Sequence, residues 1–184
     1  RTHLAMAMTT SKTGYRAGHS PLPSGVFVAP FPDPLAEDAE AEVDRALEGL
    51  QHLLKSMTAP DETAAMILEP VLGEGGYIPA PARFIRGVVE ICRQHGILFV
   101  ADEVQSGFGR TGRMFAVDHF DVEPDIICMA KGIASGFPFA ALGALLLFRT
   151  AGISGPPAAM GALAFAFCPF RWMQLEHLPV LWIP

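Results

Sequence analysis

Three short apolar runs, each followed by an ionisable residue, constrain the fold of this 184-residue chain more than any other feature. The runs span residues 64–68, 97–101 and 126–130, and the residues that follow them are Glu69, Asp102 and Lys131. Continuous apolar strands separated by helical segments are typical of a parallel sheet with helices on both faces. Because ligands of such sheets bind beyond the carboxyl ends of the strands, these three side chains are the first candidate functional residues.

The segments around the runs predict two helices and one long loop. Apolar residues recur at helical spacing from Val43 to Leu54, behind a group of acidic residues that the helix dipole favours at an N-terminus. A second helix is expected over about Pro81 to His95, with Gly96 as its C-terminal stop. Its candidate buried positions are Phe84, Ile85, Val88, Val89 and Cys92. Residues 11–34 are rich in glycine and proline, which predicts an irregular loop.

Composition excludes several functional classes. A net charge of −6 gives no basic surface for nucleic acid or for an anionic membrane. The three cysteines are widely separated, which argues against a disulfide scaffold or a zinc ribbon and favours a reducing, cytoplasmic location. The first twelve residues lack the layout of a signal peptide and do not begin with Met, so we expect a fragment of a longer protein.

Lys131 and Asp102 carry the chemical argument. A partly desolvated amine at a strand end can react with an aldehyde, whereas arginine stays protonated; the alternative is a lysine that extends into solvent. Pyridoxal phosphate (PLP) enzymes need such an amine together with a carboxylate against the pyridine nitrogen. Asp102 with Glu103 could also be metal ligands, a nucleotide-site pair or a helix cap. No phosphate-binding Gly-rich loop with lysine precedes them and no histidine cluster accompanies them, which weakens the first two alternatives.

Three longer segments make the sequence recognisable. They are Ala65-Met-Ile-Leu-Glu-Pro-Val-Leu-Gly-Glu-Gly-Gly76, Ala101-Asp-Glu-Val-Gln-Ser-Gly-Phe-Gly-Arg-Thr-Gly112 and Pro124-Asp-Ile-Ile-Cys-Met-Ala-Lys-Gly132. In this order and spacing the chain resembles the class III aminotransferases, of the 4-aminobutyrate and acetylornithine transaminase type. The resemblance implies PLP fold type I: an α/β, three-layer large domain with a mostly parallel sheet and helices on both faces, here incomplete. Residues 1–143 would be the central part of that domain.

The resemblance also implies residue roles. Lys131 matches the lysine that binds the cofactor's aldehyde and moves a proton between substrate and cofactor, and Asp102 matches the aspartate on the pyridine nitrogen. Val104 matches the apolar residue against one ring face, and Gln105 matches the amide near the phenolic oxygen. Glu74 matches a substrate-site glutamate that pairs with an arginine in the 4-aminobutyrate branch. Three further residues match positions of structural support: Glu69, Arg110 and Thr111.

Residues 144–184 form an apolar tail in which the resemblance stops. Only three charged residues follow residue 143, namely Arg149, Arg171 and Glu176. The family's Gly-Gly-Thr segment and its small domain with a carboxylate-binding arginine are not found, and its phosphate-binding loop is expected upstream. The residues from Ile153 to Leu163 can be encoded by codons that, when translated in a shifted frame, give Lys-Trp-Pro-Ala-Gly-Ser-His-Gly-Gly-Thr. The alternatives are therefore a frame-shifted tail or a divergent but genuine C-terminal segment.

The resulting prediction is PLP-dependent transfer of an amino group from an ω-amino acid or amine to a 2-oxo acid. The family's homodimer is expected by resemblance, with no nucleic acid or membrane partner and no metal. We expect this chain by itself to be inactive. An aminomutase, a decarboxylase or an epimerase on the same scaffold, or a non-catalytic remnant, are the alternatives.

Overall fold

The computed structural model describes residues 2–134 and 139–160, and the chain divides into two units, Arg1–Ile133 and Ala134–Pro184. The α-helices and strands of the first unit are, in chain order, α1 (His3–Ala7), α2 (Ala39–Ser56), β1 (Ala65–Leu68), β2 (Val71–Leu72), β3 (Ile78–Pro79), α3 (Ala82–His95), β4 (Leu98–Asp102) and β5 (Ile126–Cys128). Short 3-10 turns lie at Thr13–Tyr15, Pro60–Glu62, Ala116–His119 and Lys131–Ala134. The described part of the second unit contains α4 (Phe139–Thr150).

The predicted runs form one parallel sheet. β4 is the central strand of a three-stranded sheet with the order β1-β4-β5, and both of its neighbours run parallel to it. β1 is connected to β4 through α3, so consecutive parallel strands are joined by a helical crossover as the α/β class requires. The short antiparallel pair of β2 and β3 was not predicted; it flanks the glycine-rich loop that follows Glu69.

Local signals set the ends of the two long helices. Asp38 caps α2, since its Oδ1 accepts a hydrogen bond from Ala41 N at 3.0 Å. α3 ends at Gly96, which adopts a left-handed φ of 67°, and Ile97 N then donates to Cys92 O at 2.9 Å. A left-handed C-terminal residue favours glycine because it has no Cβ, which explains why the sequence stops the helix here.

The core lies between α2, α3 and one face of the sheet. Phe99 and Ala101 of β4 point into it, together with all five positions predicted for α3. The opposite sheet face carries apolar side chains that are exposed, including Ile67 at 43% and Leu98 at 44%. The two long helices, α2 and α3, therefore pack on the same face of the sheet. The α/β class with a parallel sheet is confirmed. Burial alternates along β1, whereas β4 has three consecutive buried residues, Phe99, Val100 and Ala101.

Residues 11–34 form an irregular loop, as predicted, which contains the 3-10 turn Thr13–Tyr15. In the second unit, α4 runs across the predicted boundary at residue 143, and turns at Gly152 and Gly155 follow it. The tail beyond residue 160 lies outside the described residues, so the frame-shift hypothesis stays a prediction. Among the described helices, none combines the length and the apolar character that a membrane span requires.

Candidate functional site

Sheet register brings two of the predicted ionisable groups together. Leu68 of β1 is paired with Ala101 of β4, so Glu69 and Asp102, the next residue of each strand, lie side by side. Asp102 is in turn paired with Cys128, the last residue of β5. The carboxyl ends of all three strands therefore meet at one edge of the sheet, which we call the strand-end site.

Lys131 reaches this edge from a turn. β5 ends at Cys128, so Lys131 does not follow the strand directly but begins the 3-10 turn Lys131–Ala134. Its φ is 25°, in the left-handed region that residues with a side chain seldom adopt. The sequence predicted a partly desolvated amine, whereas Lys131 is exposed in this structure.

The contact that organises the site joins Lys131 to Gln105. Lys131 Nζ donates a hydrogen bond to Gln105 Oε1, across 26 positions of sequence. Gln105 is held on its own side by Arg110, whose guanidinium donates to the Gln105 carbonyl at 3.3 Å. Arg110 thus contacts the backbone of the loop that carries Gln105. The amine and the amide that sequence reasoning assigned separately are direct partners.

The turn after β4 explains how Asp102 and Gln105 come to face the same edge. Asp102 Oδ1 accepts a hydrogen bond from Val104 N at 3.1 Å, the local contact with which aspartate initiates turns. This bond turns the chain immediately beyond the strand. Val104 and Gln105 are both half-buried as a result, and Gln105 faces Lys131.

Glu103 has a structural role that the sequence pattern did not predict. Its side chain is 0% exposed, although acidic residues are rarely buried without partners. Both carboxylate oxygens accept hydrogen bonds: Oε1 from Val117 N at 2.7 Å and Oε2 from the Ser106 hydroxyl. Glu103 therefore ties the loop that carries Gln105 to the 3-10 turn at residues 116–119. The sequence offered one signal, an acid placed directly beside the proposed cofactor aspartate.

The glycine-rich loop after β1 packs against the same amide. Gly73 is buried, and a Cβ built on it would lie 2.6 Å from Gln105 Cδ and 2.7 Å from Gln105 Oε1. Glu74, the predicted substrate-site residue, is exposed and accepts a hydrogen bond from the Tyr15 hydroxyl at 3.2 Å. This bond connects the long loop at residues 11–34 to the strand-end site.

Glu69 lies close enough to Asp102 and Lys131 for their charges to affect its ionisation. Burial raises the pKa of Glu69 above its ordinary value of 4.5. The Gly73 N–H bond and the Lys131 charge lower this pKa, while the nearby Asp102 and Glu74 carboxylates raise it. Burial also raises the pKa of the Cys128 thiol, and Asp102 adds to that effect.

Comparison with known proteins identifies the family. The family model for class III aminotransferases matches residues 1–145. The chain belongs to the class III aminotransferase family. It is 41% identical over 142 residues to a probable 4-aminobutyrate aminotransferase of Bacillus subtilis, covering 75% of this chain and 33% of the relative. The chain spans about a third of the length of the curated relatives that it matches.

Two solved aminotransferase structures superimpose on this chain. An (S)-enantioselective ω-transaminase from Thermomicrobium roseum superimposes with a TM-score of 0.66 at 34% identity, over 74% of this chain and 31% of its own. A taurine:2-oxoglutarate aminotransferase from Bifidobacterium kashiwanohense, solved with PLP and glutamate, gives a TM-score of 0.51 at 40% identity. That superposition covers 53% of this chain and 22% of the other.

PLP is the cofactor of class III aminotransferases, and the side chains of the strand-end site fit it. The strand-end site brings together one amine, one carboxylate and one amide, on Lys131, Asp102 and Gln105, and an amine with a carboxylate is the pair that PLP requires. Because residue 73 is glycine, the Gln105 amide can occupy space that a side chain at this position would fill. Among residues 2–134 and 139–160, no group of three or more His, Cys, Asp and Glu side chains is placed to hold a metal ion.

Proposed function

We propose that this class III aminotransferase chain binds PLP at the strand-end site through Lys131 and serves amino-group transfer to a 2-oxo acid. The observation that carries the proposal is the pairing of the Lys131 amine with the Gln105 amide, at the sheet edge where Asp102 ends the central strand. Two polar groups from separate loops converge on that edge, as a ligand site requires.

The roles of the residues follow from their chemistry. When bound, the cofactor supplies an electron sink for the substrate carbanion. Lys131 would hold the cofactor's aldehyde and, once released from it, move a proton at the substrate carbon. Asp102 would keep a proton on the pyridine nitrogen, because an adjacent carboxylate favours the charged ring. Gln105 would orient the amine and hydrogen-bond the phenolic oxygen, and Val104 would pack against one ring face.

The amino donor is proposed to carry a terminal primary amine. The proteins to which this chain is similar include a 4-aminobutyrate aminotransferase, an ω-transaminase and a taurine:2-oxoglutarate aminotransferase, and the last name contains a 2-oxo acid acceptor. Glu74 lies exposed at the same edge, where an acidic group would pair with a cationic partner of the donor site. A homodimer and a cytoplasmic location are proposed with this function, on the family resemblance.

The function is tested by absorbance spectroscopy of the purified 184-residue chain mixed with PLP. We expect a shifted cofactor band that Lys131→Ala abolishes and that the matched control Lys55→Ala, on the exposed face of α2, retains. Amino transfer from 4-aminobutyrate to 2-oxoglutarate is measured in parallel, and our proposal that this chain does not turn over by itself predicts no glutamate. A cofactor band unaffected by Lys131→Ala would refute the proposed site, and glutamate formation would refute the proposed inactivity.

A further inference from the structure

Glu69 directs its side chain into its own loop rather than across the sheet edge. Its Oε2 accepts a hydrogen bond from Gly73 N at 2.8 Å, four residues further along the chain. The bond closes the segment Glu69–Gly73 over the short strand β2 (Val71–Leu72), so the backbone at Gly73 is fixed relative to the end of β1.

Gly73 is the point at which this loop supports the amide of Gln105. A Cβ at residue 73 would stand 2.6 Å, 2.7 Å and 2.9 Å from Gln105 Cδ, Oε1 and Nε2. The Gln105 amide therefore occupies the space that a side chain at residue 73 would need. Because the loop cannot shift towards the amide without a clash, the position of Gly73 limits the rotamers that Gln105 can adopt.

Gln105 transmits this constraint to the amine. Gln105 Oε1 lies 2.7 Å from the position that a Cβ of residue 73 would take, and it accepts the hydrogen bond from Lys131 Nζ. Lys131 is exposed and has four rotatable side-chain bonds, so an acceptor of fixed position selects among many rotamers. The contacts form one continuous series from Glu69 to Gly73, Gln105 and Lys131.

We propose that Glu69 is a positioning residue for the Lys131 amine, acting through Gly73 and the Gln105 side-chain amide. The proposal rests on the proposed function in that Lys131 is the amine that captures the cofactor. The charged groups near Glu69 at this edge are Asp102, Lys131 and Glu74. The proposal depends on the length of the Glu69 side chain, which lets its carboxylate oxygen accept the hydrogen bond from Gly73 N, and not on its charge.

Two conservative variants separate reach from charge. Glu69→Gln keeps an oxygen at the same distance and removes the charge, whereas Glu69→Asp keeps the charge and withdraws the oxygen by one methylene group. Gly73→Ala places a Cβ directly against the amide and is the positive control. Glu62→Ala, an exposed glutamate in the turn before β1, is the matched negative control.

The primary readout is the side-chain amide signal of Gln105 in the cofactor-free chain labelled with ¹⁵N-glutamine. The sequence contains four glutamines, Gln51, Gln94, Gln105 and Gln174, so the signal is assigned by its loss in Gln105→Glu. We expect Glu69→Asp and Gly73→Ala to move this signal, and Glu69→Gln and Glu62→Ala to leave it in place. With PLP added, capture at Lys131 should weaken about three- to tenfold in Glu69→Asp, the range that one hydrogen bond spans.

The proposal is overturned if Glu69→Asp leaves the Gln105 signal in place while Gly73→Ala moves it, or if Glu69→Gln moves it as far as Glu69→Asp does. Circular dichroism of each variant establishes that it is folded. If the unmodified chain fails to capture PLP at Lys131, the proposed function fails, but the Gln105 signal still reports on Glu69 because it is recorded without the cofactor.

Discussion

Replacing Glu103 with alanine is the perturbation whose cost the structure defines most completely. The substitution removes both acceptors from a carboxylate that is 0% exposed. Val117 N and the Ser106 hydroxyl, which donate to it, are then left in a buried site. Ser106 follows Gln105 directly in the chain, so the loss affects the loop that carries Gln105 as well as stability.

The magnitude follows from two charge-assisted hydrogen bonds. Each bond to a charged group contributes about 1.5–3 kcal/mol, so losing both sets an upper limit of about 3–6 kcal/mol. Relief of the desolvation of the buried carboxylate offsets part of this loss, which leaves an expected destabilisation of about 2–4 kcal/mol. Glu103→Gln keeps an acceptor for Val117 N and can donate to Ser106 Oγ, so we expect it to cost about 1 kcal/mol.

The assay is urea unfolding followed by far-ultraviolet circular dichroism, combined with hydrogen exchange at the Val117 amide. Glu103→Ala should lower the free energy of unfolding by the stated amount and accelerate Val117 exchange, while the exposed control Glu123→Ala should stay within about 0.5 kcal/mol of the parent chain. Equal stabilities for Glu103→Ala and Glu103→Gln would show that the two buried hydrogen bonds do not set the cost, because only the glutamine variant leaves the buried donors a partner.

Three further predictions concern ionisation and backbone conformation. Burial raises the pKa of Glu69, so the folded chain binds that proton more tightly than the unfolded chain. The stability of the parent chain relative to Glu69→Gln should therefore fall as pH rises from 4.5 through the folded pKa. A constant difference between the urea midpoints of the two proteins across this pH range would contradict the prediction. Gly96→Ala should cost about 1–2 kcal/mol because φ is 67°, whereas Gly14→Ala, with open space around it, should change the unfolding free energy little. Burial raises the pKa of Cys92 to about 11, so a thiol reagent at pH 8 should modify Cys128 before Cys92, and the reverse order in peptide mapping would count against the packing described.

The strand ends were predictable because a parallel sheet leaves a strong local pattern. Apolar runs with helical segments between them placed Glu69 and Asp102 at one edge, and register confirmed that they are neighbours. The left-handed stop at Gly96 and the buried face of α3 were predictable for the same reason, since periodicity and end signals are properties of a few adjacent residues.

The contacts between loops were not predictable in this way. The support of Gln105 by Gly73 depends on where two loops approach in space, and glycine gives no chemical signal for it. The burial of Glu103 was hidden because an acidic residue after a strand is ordinarily solvated, and its partners Ser106 and Val117 have no distinctive pattern. The apolar run at residues 126–130 also overestimated the length of β5, which ends at Cys128.

The most direct test of the strand-end site is to locate captured PLP on the chain. The sequence has three lysines, Lys12, Lys55 and Lys131, and only the last lies at the sheet edge beside Gln105 and Asp102. After incubation with PLP and reduction with borohydride, peptide mass spectrometry measures the fraction of cofactor on each lysine. We expect Lys131 to carry most of the label and Gln105→Ala to lower the share on Lys131. Equal labelling of Lys12, Lys55 and Lys131 would contradict a PLP site at the strand ends.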